Sequence, residues 1–117
     1  MAYVDGFLLA VKKSKVEAYK ALAAVCEPIW REYGAIEYVE CVGDDTPYGE
    51  LTSFPRAVMA AEDEVVIFSW IIYPDKATRD ACNKKVMEDP RLKATMATDV
   101  FDGKRMIYGG FVPMMGK

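Results

Sequence analysis

Three carboxylates stand inside apolar runs: Asp5 in "YVDGFLLAV", and Glu37 and Glu40 in "AIEYVECVG". A carboxylate in such a place either pairs with a cation or keeps a raised pKa suited to moving protons. Arg31, Arg56, Arg79 and Arg105 are the available guanidinium partners. Tyr38 and Glu40 share one face of a strand, because side chains alternate with period two. Trp70 and Tyr108 would line a cavity with them if their rings point the same way; otherwise they pack in the core. Arg56 lies in "TSFPRA" beside Phe54 and Pro55. Its planar fork suits a carboxylate or phosphate ligand, or equally a structural carboxylate while Phe54 anchors the segment on a partner subunit. The candidate ligand-binding set is therefore Tyr38, Glu40, Arg56, Trp70 and Tyr108, with no catalytic residue assigned.

The residues that are missing narrow the chemistry further. The chain has no histidine, which removes imidazole triads, His-ligated haem and most zinc sites. Its acids show no D-x-D loop or other ligand spacing, so neither a metal nor a cofactor is expected. Cys26, Cys41 and Cys82 form no C-x-x-C pair and read as free thiols of a reducing compartment. With 15 basic against 18 acidic residues the net charge is −3, which repels a phosphate backbone and argues against a nucleic-acid partner. The opening "MAYVDGFLLAV" is interrupted by Asp5, has no basic residue before it and is far shorter than the roughly 20 residues of a membrane span. A cytoplasmic protein without membrane attachment is expected.

These residues must be positioned by one domain, 1–117, a length that supports a core without staples. Tyr3 to Val11 reads as a strand. Ser14 and Glu17 have the spacing of a capping box that opens a helix. Val16, Tyr19, Leu22, Ala23, Cys26, Ile29, Trp30 and Tyr33 form its apolar stripe, Pro28 kinks it, and Gly34 ends it. Ala35 to Gly43 is a second strand, with Tyr38 and Glu40 on one face and Glu37, Val39 and Cys41 on the other. An excursion over about 44–63 follows, in which Pro55 argues for an irregular edge or arm. Val65 to Tyr73, "VVIFSWIIY", is the strongest strand signal and belongs at the centre of a sheet. Asp75 caps a helix over about 76–88, with Ala81, Cys82, Val86 and the stem of Lys85 toward the buried side. Asp89 and Pro90 restart a short helix carrying Leu92 and Met96 inward. A turn at Asp102 and Gly103 leads to a last strand, Met106 to Val112.

The order β-α-β-β-α-β is that of a ferredoxin-like α+β fold, two helices on one face of a four-stranded antiparallel sheet. The first, third and fourth strands are apolar at nearly every position and 52% of residues are hydrophobic, so the second sheet face needs a cover. Two sheets packed face to face in a homodimer, a dimeric α+β barrel, supply it.

The blocks "YVDGF", "WREYGAIEYVEC", "TSFPRA", "FSWIIYPDKATRD", "VMEDPRL" and "FDGKRMIYGGF" resemble the YbaA-like family of uncharacterised bacterial proteins along essentially the whole chain. That resemblance implies the dimeric α+β barrel superfamily, which also holds cofactor-free monooxygenases, and it brings no activity with it. Three functions stay open. One is binding of a small aromatic or anionic metabolite. Another is a cofactor-free monooxygenase or isomerase using Glu40 as base, with Tyr38 or Trp70 shaping the pocket. The third is a purely structural or interaction subunit.

Overall fold

In the computed structural model, which describes residues 1–96 and 99–116, a four-stranded antiparallel sheet carries all but one short helix on one face. The chain runs β1 (Tyr3–Lys12), α1 (Val16–Glu32), β2 (Glu37–Val42), α2 (Phe54–Ala57), β3 (Glu64–Tyr73), α3 (Lys76–Glu88), α4 (Pro90–Met96) and β4 (Ile107–Phe111). Spatial order is β2-β3-β1-β4, so the two longest and most apolar strands, β1 and β3, lie in the middle. They pair without a break from Tyr3↔Tyr73 to Lys12↔Glu64. The expected ferredoxin-like α+β arrangement is present, with the strand "VVIFSWIIY" central as its composition required.

Alternation along each strand divides the sheet into two surfaces. Phe7, Leu9 and Val11 of β1 and Ile67, Ile71 and Tyr73 of β3 face the helices and meet Tyr19, Ala23, Cys26 and Ile29 of α1 and Cys82 and Val86 of α3. Ala81 and Lys85 are exposed: α3 is short and its mostly polar surface leaves a stripe only wide enough for Cys82 and Val86. The opposite surface carries Val4, Leu8, Phe68, Trp70, Ile107 and Phe111, with Phe68 44% and Phe111 62% exposed. Only one end of it is covered. There Val58, just after α2, packs on Ala10 and Val66, and Phe54 lies 6.2 Å from Phe68 between ring centres.

Helix termini follow local chemistry with one exception. Asp75 accepts the Thr78 N–H at 2.7 Å and Asp89 accepts that of Arg91 at 2.8 Å, as their positions before the two helices require. Ser14, in contrast, caps nothing. A 3-10 turn over Lys13–Lys15 precedes α1, Lys15 occupies the cap position, and no side chain bonds the first turn. The Lys13 N–H is held by the Asp63 carbonyl at 2.8 Å, which fixes the exit from β1 and places Ser14 inside the turn rather than before it. At the far end of α1, Gly34 has φ +122°, and a Cβ there would stand 2.6 Å from Thr78 Cγ2. Both backbone and space demand glycine.

"TSFPRA" is a single helical turn rather than a strand edge. Ser53 caps it by accepting the Arg56 N–H at 3.1 Å, and Pro55 falls in the first turn, where its lack of an N–H costs nothing.

Candidate functional site

A cavity of about 310 Å³ lies between the helices and the sheet. α1 supplies one wall because Tyr19, Leu22, Cys26 and Trp30 recur at three- and four-residue spacing. β2 adds Tyr38 and Glu40 from a single strand face, and Met87 of α3 and Met96 of α4 stand at its exposed margin. Its surface is almost wholly apolar. Among the described residues, Glu40 is the one carboxylate that lines it, and no lysine or arginine does.

Glu40 is held from two sides. Tyr19 donates its hydroxyl to Oε1 at 2.8 Å and Tyr38 donates to Oε2 at 3.0 Å. Burial raises the Glu40 pKa above its usual value, and the hydroxyls of Tyr19, Tyr38 and Ser69 pull it part of the way back. The two phenols are pushed well above their ordinary range, first by burial and then by the neighbouring carboxylate, so both keep their protons. Burial, then Glu40, also pushes the Cys26 thiol up to about 11, which leaves it a thiol and a poor nucleophile. The arrangement is an uncompensated acid between two fixed donors, facing an oily space.

Of the other expected site residues, Tyr108 and Arg56 lie outside the cavity, and Trp70 borders it without turning its ring into it. Trp70 belongs to the strand that floors the cavity, but its indole is on the opposite sheet face, donating to Glu37 Oε1 at 3.1 Å and lying 5.6 Å from the Phe68 ring. Tyr108 is 72% exposed on β4 and stacks on Phe7 at 6.5 Å, one ring removed from the cavity. Among the described residues, Arg56 neither lines the cavity nor pairs with a carboxylate. It donates to the carbonyls of Tyr48 at 2.9 Å and Gly49 at 3.1 Å and lies 3.8 Å over the Tyr48 ring, stitching together the β2–β3 connection. Of the acids in apolar strands, Asp5 takes the ion-pair outcome, gripped by Arg79 at 3.0 and 3.1 Å, while Glu40 takes the other.

Tyr19, Cys26 and Ser69 were not among the sequence candidates. Tyr19 read as one member of an apolar stripe. The available signal was its hydroxyl, which a buried helix position obliges to find a partner on the facing strand.

Fold and site together define a ferredoxin-like α+β protein with a helix-covered cavity. The sequence matches the family described as Protein of unknown function (DUF1428) over residues 2–103. It is 53% identical over 111 residues, 95% of each chain, to the Uncharacterized protein YbaA of Escherichia coli strain K12. The chain belongs to the DUF1428 family. Among solved structures it is similar to a dimeric ferredoxin-like protein from an uncultured marine organism, with a TM-score of 0.65, 14% identity, and 100% of this chain and 98% of that one covered. It is also similar to a Nitrosomonas europaea protein described provisionally as an antibiotic biosynthesis monooxygenase, with a TM-score of 0.58, 16% identity, and 97% and 90% covered. At these identities the likeness is one of fold. No helix among the described residues is long and apolar enough to cross a membrane.

Proposed function

We propose that the protein is a homodimer whose subunits each bind a small, uncharged, mainly aromatic molecule in the Glu40 cavity. The observation that carries the binding reading is a carboxylate lining an apolar cavity with no cation beside it among the described residues. Such a charge repels carboxylates and phosphates, so the aromatic class is favoured over the anionic one. The volume of about 310 Å³ is about twice the roughly 150 Å³ of an apolar cavity that takes up benzene, which suits two fused rings. The second subunit covers the uncovered sheet face: Val4, Leu8, Phe68, Ile107 and Phe111 form a contiguous apolar surface, and two neighbours in fold are described as dimeric ferredoxin-like proteins.

Titration with 2-naphthol and with 2-naphthoate, followed by ligand-observed NMR, tests the binding reading. Saturable binding of the naphthol, weaker binding of the naphthoate, and loss of both in Leu22→Trp, which fills the cavity, are expected. Absence of saturable binding, or equal binding by Leu22→Trp, overturns the reading. Sedimentation tests the dimer separately, since a 13.1 kDa species at micromolar concentration removes it.

A further inference from the structure

We infer that Glu40 is a general base that enolises a neutral, unsaturated cyclic ketone held in the cavity, making the protein an isomerase that moves the double bond of such compounds. This inference rests on the proposed binding of an uncharged aromatic molecule and adds a reaction to it.

The geometry points to proton abstraction rather than to binding alone. A protein that only stored an oily molecule would gain nothing from a carboxylate in the wall, and its burial without a cation weakens the fold. As a base the same carboxylate is useful. Oε1 receives a phenol hydrogen bond from Tyr19 and Oε2 one from Tyr38, and with the Ser69 hydroxyl also acting on the carboxylate at least one lone pair is left for a proton from the ligand. The two bonds also fix the carboxylate, so a ligand C–H seated against it meets a base that needs no reorientation. The apolar walls keep the base poorly hydrated and so more basic than in water.

The step balances within the site. A C–H bond next to the carbonyl breaks, its proton goes to Glu40, and its electron pair moves into the carbonyl group as an enolate. Protonated Glu40 accepts hydrogen bonds more weakly, which frees a phenol O–H of Tyr19 or Tyr38 to donate to the enolate oxygen. In a ketone with a β,γ double bond the electron pair extends into a dienolate, so return of the proton to the γ-carbon completes an isomerisation, while return to the carbon it left is a silent exchange. No oxidant or reductant enters.

The facing groups make the pH dependence interpretable. Among the described residues, Tyr19 and Cys26 of α1 and Tyr38 of β2 are the other titratable side chains around Glu40, and all three are pushed up, away from the neutral range. α3 and α4 contribute only Met87, Leu92 and Met96 to the cavity. A rise in rate from acid toward neutral pH, with its midpoint above the ordinary carboxylate value, therefore belongs to Glu40.

The experiment uses 2-tetralone, a neutral bicyclic ketone, in D2O, with NMR reading both its saturable binding and deuterium uptake beside its carbonyl. The wild type is expected to accelerate uptake over buffer, and Glu40→Gln to lose that acceleration by about 100-fold or more while binding stays within about threefold. If Glu40→Gln does not fold, Glu40→Asp, which withdraws the carboxylate by one methylene, should lose at least about tenfold. Binding without acceleration, or acceleration that survives Glu40→Gln, overturns the inference and leaves the binding reading standing. No saturable binding overturns the binding reading and this inference with it.

Discussion

The hydroxyl of Tyr19 on α1 donates to Glu40 Oε1 on β2 across 2.8 Å, so a single hydrogen bond ties the helical layer to an edge strand at the one carboxylate among the described residues lining the cavity. Tyr38 makes the matching bond to the other oxygen from the same strand face. Both bonds favour the ionised acid, and burial opposes them.

Tyr19→Phe and Tyr38→Phe should therefore each raise the Glu40 pKa further, because each removes a donor to the charged form while burial remains. Carbon-13 NMR of the Glu40 carboxyl across pH reads this directly. A midpoint unmoved in both variants would mean that the phenols do not donate to Glu40 in solution.

Glu40 should also make the protein less stable as pH rises. A carboxyl whose folded pKa lies above its unfolded value contributes stability that is complete below the unfolded pKa and lost as pH rises through the folded one. Glu40→Gln, which keeps an acceptor and a donor for the two phenols, should melt higher than the wild type at pH 8. The two curves should converge below about pH 4.5, the ordinary value for a glutamate carboxyl. Thermal melts at both pH values decide it, and a lower melting point for the variant at pH 8 would reverse the sign.

Asp5 is 4% exposed and depends on Arg79, whose guanidinium reaches both its oxygens from α3 and also lies 5.2 Å from the Tyr3 ring centre. Arg79→Ala should cost about 3–5 kcal/mol by stranding a buried charge. Arg79→Ala combined with Asp5→Asn should recover part of that loss, because the stranded charge is gone. Urea unfolding measures both, and a double variant no more stable than Arg79→Ala alone would show that packing against Tyr3, not the charge, is what Arg79 supplies.

Helix caps give a paired test. Asp75→Ala should lower the denaturant midpoint, since it removes the acceptor for the Thr78 N–H, while Ser14→Ala should leave it nearly unchanged. Denaturant midpoints compare them. An equal loss at both positions would place the start of α1 at Ser14 after all.

Much of this molecule is decided locally. The run "VVIFSWIIY" has no helical period and no polar interruption beyond Ser69, so β-branched and aromatic crowding makes it a strand wherever it lies. Asp75 and the Asp89–Pro90 pair set helix starts because a cap needs only its own next three residues. Tyr38 and Glu40 share a face for the equally local reason that strands alternate. The Ser14 box failed where a tertiary contact intervened: the bond from Lys13 to the Asp63 carbonyl fixed how the chain leaves β1. What surrounds a side chain is not local at all. "VVIFSWIIY" is apolar on both phases of the alternation, so nothing in it says which face Trp70 takes; pairing with β2 sends the indole to Glu37, away from the cavity. Arg56 had carboxylates to choose from, but the turn capped by Ser53 brought the Tyr48 and Gly49 carbonyls within its reach first. Asp5 and Glu40 look alike in sequence, as acids in oily strands, and differ because α3 delivers Arg79 to one while α1 delivers the uncharged donor Tyr19 to the other. The sequence alone placed Asp5 and Glu40 in apolar strands; only the packing of helices on the sheet decided how deeply each is buried and that, among the described residues, Glu40 has no counter-charge, because both depend on atoms many residues away.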